Sequence, residues 1–183
     1  MRKLTHEEIT VRQVKKCADS KLPVCVVLNN IRSLHNVGTI FRTADGAGVQ
    51  KLWLCGITGY PPQGGIAKTA LGAQDHVPWE YREDAAGLLK ELKKEGYQIV
   101  LLEQMQGSVR HDRFRPEFPL CLVMGNEVSG ISDGLQSWAD AAIEIEMQGI
   151  KNSLNVAVAF GIAVYQLRSS YRTLADARSR SKG

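Results

Sequence analysis

Val24-Cys25-Val26-Val27-Leu28, set between Lys21-Leu22-Pro23 and Asn29, is the stretch that decides the fold. Five apolar, mostly β-branched residues without polar alternation read as a strand buried on both faces, as in a parallel sheet. A loop follows over 29–36. Next comes a helix through Ile40, Phe41, Ala44 and Ala47, closed by Gly48, and then a second apolar run, Lys51-Leu52-Trp53-Leu54-Cys55. The same alternation continues outward. Residues 97–102, 120–124 and 142–145 read as strands, and 84–95, with Leu88, Leu89 and Leu92 at helical spacing, reads as a helix. Helices are also expected over 132–139 and from Ser153 to about Leu174, with a short one at 67–71. Residues 56–65, with Pro61-Pro62 and Gly64-Gly65, form a loop. At the N-terminus, 4–18 reads as an amphipathic helix with Thr5 and Glu8 as a capping box. Short strands alternating with helices mean an α/β domain with a largely parallel sheet flanked by helices. The expected organisation is an N-terminal helical extension (1–22), one domain (23–172) and a basic tail (173–183), with the last eight or so residues disordered.

The 183 residues, 44% hydrophobic and 23% charged, suit one globular domain, and the net charge of +4 is modest. The placement of charge says more. Cations crowd the N-terminal segment (Arg2, Lys3, Arg12, Lys15, Lys16, Lys21) and the tail (Arg168, Arg172, Arg178, Arg180, Lys182), and Arg110, Arg113 and Arg115 surround His111 and Phe114. Cations beside an aromatic suit phosphate contact with base stacking; a solvated helix face and a frayed tail are the plainer alternative. Arg12, Lys15, Lys16, Arg110, Arg113 and Arg115 are the candidate RNA contacts. Cys17, Cys25, Cys55 and Cys121 have neither CxxC nor metal-ligand spacing, and read as structural thiols in a reducing compartment. No apolar run reaches membrane-spanning length and the N-terminus lacks a signal-peptide core, so a cytoplasmic protein is expected.

Three junctions carry polar groups that an ordinary strand-to-helix turn does not need. The first holds Asn36, Gly38 and Arg42, and the second Gly125-Asn126-Glu127. The third is Met147-Gln148-Gly149 followed by Lys151, Asn152 and Ser153-Leu154-Asn155. Each follows a strand and opens a helix. In open parallel sheets ligands bind beyond the carboxyl ends of the strands, where helix N-termini offer free N–H groups. No GxGxxG or GxxxxGK[ST] is present, and His6, His35, His76 and His111 pair with no evident nucleophile. No metal site is indicated.

Asn36-x-Gly38-x3-Arg42, Gly125-x-Glu127 and Met147-x-Gly149-x3-Ser153-Leu154-Asn155, in this order over residues 24–168, resemble the three motifs of the SpoU (TrmH-like) RNA ribose methyltransferases of the SPOUT superfamily. Each motif alone is weak; the ordered triple is specific. The resemblance implies a SPOUT-type fold with a C-terminal deep trefoil knot, S-adenosylmethionine as methyl donor and a homodimer. It also implies methylation of a ribose 2′-hydroxyl in structured RNA, with transfer RNA expected before ribosomal RNA because the extensions are short. A non-catalytic RNA-binding protein on the same fold and a base-methylating SPOUT enzyme are the alternatives.

By position, the resemblance places the cofactor against Leu102, Glu103, Met124, Gly125, Asn126, Ile145, Met147 and Leu154. It assigns the chemistry to Arg42, Asn36, Glu127, Ser153 and Asn155. A guanidinium ordinarily keeps its proton to about pH 12.5, so orienting the hydroxyl and binding the adjacent phosphate is the easier role for Arg42. Asn36 either orients Arg42, contacts RNA or caps its helix, and Gly38 permits close approach of a ligand or partner subunit. Glu127 either holds a basic group or is a first-turn acid favoured by the helix field. Ser153 is equally readable as the N-cap of the last helix, whereas Asn155, just inside it, reads as a polar group of the site. Lys68, Thr69, Gly72 and Ala73 resemble a further family segment, structural or RNA-facing. Ile145-Glu146-Met147 stands where the family often has Ile-Pro-Met, and altered loop stiffness is expected there.

Overall fold

In a computed structural model of the chain, residues 1–17 and 21–180 are described, except for the side chains of 13–17, 178 and 180. The elements are α1 (His6–Cys17), β1 (Leu22–Asn29), α2 (Leu34–Ala47), β2 (Val49–Cys55), α3 (Gly64–Ala70), β3 (Trp79–Arg82) and α4 (Ala85–Lys94). They continue with β4 (Gln98–Leu102), β5 (Val109–Arg110), β6 (Leu120–Met124), α5 (Asp133–Gln136), β7 (Ala141–Glu144) and α6 (Val156–Arg180). Seven strands form one sheet in the order β3-β2-β1-β6-β4-β7-β5, and every pairing is parallel.

The apolar run over 24–28, within β1, lies at the sheet's centre. β1 pairs with β2 on one side and β6 on the other, with Val26 opposite Leu52 and Leu122. Its period-two alternation divides the core into two layers. Leu22, Val24, Val26 and Leu28 point to one face, with Phe41 of α2, Ile66 of α3 and Phe160 of α6. Cys25 and Val27 point to the other, with Leu88, Leu89 and Leu92 of α4. From β1 the chain winds outward through β2 and β3, then crosses to build the other half. The change of direction therefore falls beside β1 and β6, where doubly wound sheets open a crevice.

Local chemistry accounts for the helix ends. Thr5 and Glu8 exchange side chain-to-backbone hydrogen bonds at the start of α1, as the capping-box pattern predicts. Ser33 Oγ accepts from Asn36 N–H at 3.3 Å and caps α2, which ends on Gly48 at φ 70°. Asn36 is therefore not the cap; it sits in the first turn. The last helix differs from expectation at both ends. It starts at Val156 rather than Ser153 and runs to Arg180, so 176–180 are helical rather than disordered. β3 and β5 were missed, being only four and two residues long.

Among the described residues, no helix is long and apolar enough to cross a membrane. Cys25, Cys55 and Cys121 are free and buried, and burial pushes the Cys55 thiol up to about 12. Cys17 lies outside the described side chains.

Candidate active site

A cavity of about 600 Å³ opens beyond the carboxyl ends of β4, β6 and β7 and is roofed by the segment leading into α6. Leu102, Glu103, Met124, Gly125, Asn126, Ile145 and Leu154 all line it, as do Glu127, Ser153 and Asn155. Met147 does not.

The wall after β6 is built by close backbone approach. A Cβ on Gly125 would stand 2.5 Å from the Gly130 carbonyl and 2.6 Å from Ile131 N, so only glycine fits. The turn is tied by mutual backbone bonds between Asn126 and Gly130 (3.1 and 2.9 Å) and by Asn126 Oδ1, which accepts from Val128 and Ser129 N–H at 2.9 and 3.0 Å. Asn126 Nδ2 donates to Asn30 O at 2.8 Å, joining the wall to the end of β1. Glu103 does structural work here as well as lining the cavity, since its carboxylate accepts from Gln104 N–H (3.1 Å) and Ile131 N–H (3.3 Å). Gln104, absent from the sequence reading, lines the cavity and donates to Asn152 O, closing the gap to the roof. Its adjacency to Leu102-Glu103 at the end of a predicted strand was the available signal.

Three motif residues form one hydrogen-bonded relay. Glu127 accepts from Arg32 N–H (3.1 Å), Ser33 N–H (3.4 Å) and Asn36 Nδ2 (3.1 Å). Asn36 Oδ1 accepts from Asn155 Nδ2 at 3.1 Å, and Asn155 Oδ1 accepts from Ala157 and Val158 N–H at 2.9 and 3.4 Å. The carboxylate can only accept, so it fixes the orientation of the first amide and through it the second. Burial opposes ionisation of Glu127, but the bonds from Arg32, its own backbone, Asn36 and Ser33 outweigh it and hold the carboxyl below its ordinary value. Glu127 thus grips the N-terminus of α2, not Arg42. Asn155, expected just inside α6 as a polar group of the site, proves to be its cap while also bonding Asn36. Among the described residues Ser153 makes no capping hydrogen bond.

Arg42 stands apart. It is exposed on α2, is absent from the cavity lining, and has no hydrogen-bond or ion-pair partner among the described residues. Its neighbourhood is the seam of α2 with α6: a Cβ on Gly161 would lie 3.8 Å from the Thr43 methyl, and one on Gly46 would lie 3.0 Å from the Tyr165 hydroxyl. Beside this seam α6 exposes an apolar stripe at helical spacing, Val158 (52% exposed), Ile162 (37%) and Tyr165 (52%). Gly38 faces no ligand. A Cβ there would meet Thr69 Oγ1 at 2.2 Å and Ile66 O at 2.3 Å, so its absence lets α2 and α3 touch. Thr69 Oγ1 then donates to His35 O at 3.0 Å, giving the 68–73 segment a structural role, with Lys68 exposed.

The cationic patch around residue 110 is reduced. Arg110 is paired with Asp112 (2.7 Å) and with Glu146 (3.3 Å), and the Phe114 ring packs on the core instead of offering a stacking face. Glu146 therefore pins its loop to β5. Arg113 and Arg115 are exposed, as is Arg12 on α1; the side chains of Lys15 and Lys16 lie outside the described residues. No group of three or more His, Cys, Asp or Glu able to hold a metal ion occurs among the described residues.

Residues 23–165 match the model of the SpoU rRNA Methylase family. The chain belongs to this family. A tRNA (guanosine(18)-2′-O)-methyltransferase of Aquifex aeolicus is 35% identical over 145 residues, 77% of this chain and 66% of that protein. A 23S rRNA (guanosine-2′-O-)-methyltransferase of Vibrio parahaemolyticus is 31% identical over 151 residues, 81% of this chain and 60% of that one. The chain spans about 60% of the length of the curated relatives it matches. Among solved structures, the AdoMet-bound rRNA methyltransferase of Sinorhizobium meliloti aligns with a TM-score of 0.75 at 31% identity, over 80% of this chain and 56% of that one. The A. aeolicus TrmH/SpoU tRNA modifying enzyme aligns with 0.79 at 28%, over 91% and 86%.

Proposed function

We propose that this chain is an S-adenosylmethionine-dependent methyltransferase acting on a ribose 2′-hydroxyl of structured RNA, as a homodimer. The observation that carries the reading is the cavity. Glu103, Glu127 and Glu144 line it together with backbone groups, and no Lys or Arg does. Such a lining repels phosphates and favours a nucleoside that carries positive charge. It therefore fits the cofactor named for the S. meliloti relative. Leu102, Met124, Ile145 and Leu154 would hold the apolar parts of the cofactor, and the backbone at Gly125 and Asn126 its polar edge. When bound, S-adenosylmethionine supplies a methyl group already activated on a sulfonium.

What the chain must add is position, alignment and help in removing one proton. The relay of Glu127, Asn36 and Asn155 holds the starts of α2 and α6 at a fixed spacing beside the cavity, with Ser153 at its margin. Arg42 binds the ribose oxygen and the adjacent phosphate, a fork geometry suited to both. It does not line the cavity of its own protomer, so pairing of two chains across the α2–α6 face, with its uncovered apolar stripe, is what brings it to a complete centre. In this reading the segment between β7 and α6 is threaded as a deep trefoil knot, and the protein works in the cytoplasm. Transfer RNA is favoured because the A. aeolicus match, over 91% of this chain, is a tRNA modifying enzyme.

The test is transfer of label from S-adenosylmethionine to unmodified transfer RNA and ribosomal RNA, with Arg42→Ala alongside. The expected result is label in one pool, at a 2′-O-methyl nucleotide, falling by about 100-fold or more in the variant. Label on a base would overturn the ribose assignment. Folded protein that neither binds the cofactor nor labels either pool would favour a non-catalytic RNA-binding protein, whereas cofactor binding without label would point to an RNA outside both pools or a missing partner.

A further inference from the structure

Around the α2 N-terminus, on the side held by β1 and β2, lies a surface that the reaction chemistry does not use. The loop after β2 leaves the sheet at its carboxyl end and is bound to the site's own framework. Ile57 N–H donates to Asn30 Oδ1 at 3.0 Å, and Asn30 O in turn holds Asn126 of the cavity wall. Gly59 and Gly65 both lie against the side chain of Leu34, the first residue of α2. This framework holds Tyr60 over two other aromatics. Its ring centroid is 4.8 Å from Tyr81 and 6.2 Å from Trp79, the latter stacked at 28°. Tyr81 is anchored by donating its hydroxyl to Gly56 O at 3.0 Å. Tyr60 keeps 42% of its surface in solvent and Ile57 68%, an unusual outlay of apolar area on one small loop.

The neighbouring charges, Arg32 and Lys68, are positive and uncommitted. Arg32 precedes the cap Ser33, His35 lies in the first turn of α2, and Lys68 precedes the Thr69 that bonds to His35 O. All three are exposed, and among the described residues none has an ion-pair partner. The acid tied to this turn, Glu127, spends its oxygens on Arg32 and Ser33 N–H and on Asn36. A rigid exposed aromatic face beside unpaired cations has the chemistry of a single-stranded nucleic-acid platform, stacking plus phosphate contact.

We propose that Tyr60, on its Trp79–Tyr81 base, stacks an unpaired nucleotide flanking the target, while Arg32 and Lys68 take the adjoining phosphates. This rests on the reading that the substrate is RNA. It moves part of the RNA grip from the Arg110 patch, where ion pairs occupy Arg110 itself, to the opposite half of the sheet.

The test uses the full chain with two probes: a fluorescein-labelled pool of unmodified transfer RNA, and a short single-stranded oligoribonucleotide carrying 2-aminopurine, whose fluorescence is quenched by stacking. Tyr60→Phe keeps the π face; Tyr60→Leu keeps an apolar cover over Trp79 and Tyr81 without one. Wild type and Tyr60→Phe are expected to quench the oligonucleotide. Tyr60→Leu should lose the quench and bind about tenfold more weakly, with an unchanged unfolding midpoint. Lys68→Ala should lower the slope of log affinity against log salt by about one. Unchanged quench and affinity in Tyr60→Leu overturn the platform and leave the RNA reading standing. Wild-type protein that binds neither probe overturns the RNA reading itself.

Discussion

The cavity at the carboxyl ends of β4, β6 and β7 and the seam of α2 with α6 were both marked by motif residues, yet the fold treats them differently. In the cavity, polar groups from distant parts of the chain find partners inside the protomer. Glu127 holds the α2 turn, Asn36 links it to Asn155, and Asn155 caps α6. At the seam Arg42 has no partner among the described residues, and Val158, Ile162 and Tyr165 meet solvent. One region is complete within a single chain. The other leaves an exposed cation beside an apolar stripe, and large apolar stripes are seldom left open.

That contrast can be broken most forcefully at the seam. Ile162→Asp places a charge on the apolar stripe and is expected to shift sedimentation from dimer to monomer. Activity should fall about 100-fold, as for Arg42→Ala, while cofactor affinity is retained. A monomeric wild type would end the comparison. In the cavity, Gly125→Ala drives a Cβ into the Gly130 carbonyl at 2.5 Å. It should cost about 1–3 kcal/mol of stability and abolish cofactor binding without affecting association, read by denaturant unfolding and calorimetry.

A smaller effect sharpens the relay. Glu127 has a carboxyl held below its ordinary value near 4.5, so its contribution to stability is present above that pH and is lost as pH falls through the folded-state value. The unfolding midpoint of wild type should exceed that of Glu127→Gln at pH 7, and the gap should close below about pH 4.5. A pH-independent gap would mean that shape rather than charge holds the α2 turn. The smallest effect is expected at β5. Arg110→Ala removes two exposed ion pairs and should leave the unfolding midpoint almost unchanged, with RNA affinity nearly unaltered because the charge was already consumed.

Much of this molecule was legible in order along the chain. Apolar runs such as 24–28 and 120–124 announced central strands because burial on both faces leaves no polar position. β3 and β5 escaped because four and two residues are too few to show a period. Seven of the eight cofactor candidates line one cavity, since strand ends converge wherever a parallel sheet is built. Asn155 was misread as internal to its helix and Asn36 as a possible cap. Both readings turn on where a helix begins, and local propensity leaves that loose by a few residues. Phe114 looked like a stacking face in sequence, and only packing showed it facing the core.

By itself, then, the sequence determined the α/β class, the family and the end of the sheet where the site lies. These follow from hydrophobic periodicity and motif order, both of which are properties of neighbours along the chain. The tertiary structure alone decided which cations are free and which are spent, which asparagine caps a helix, and that Arg42 does not line the cavity of its own chain. Among them, the ion pair of Arg110 with Glu146 and the bond between Asn36 and Asn155 join residues far apart along the chain. Charge and hydrogen bonding act through space, and no spacing along the chain records what folding brings into contact.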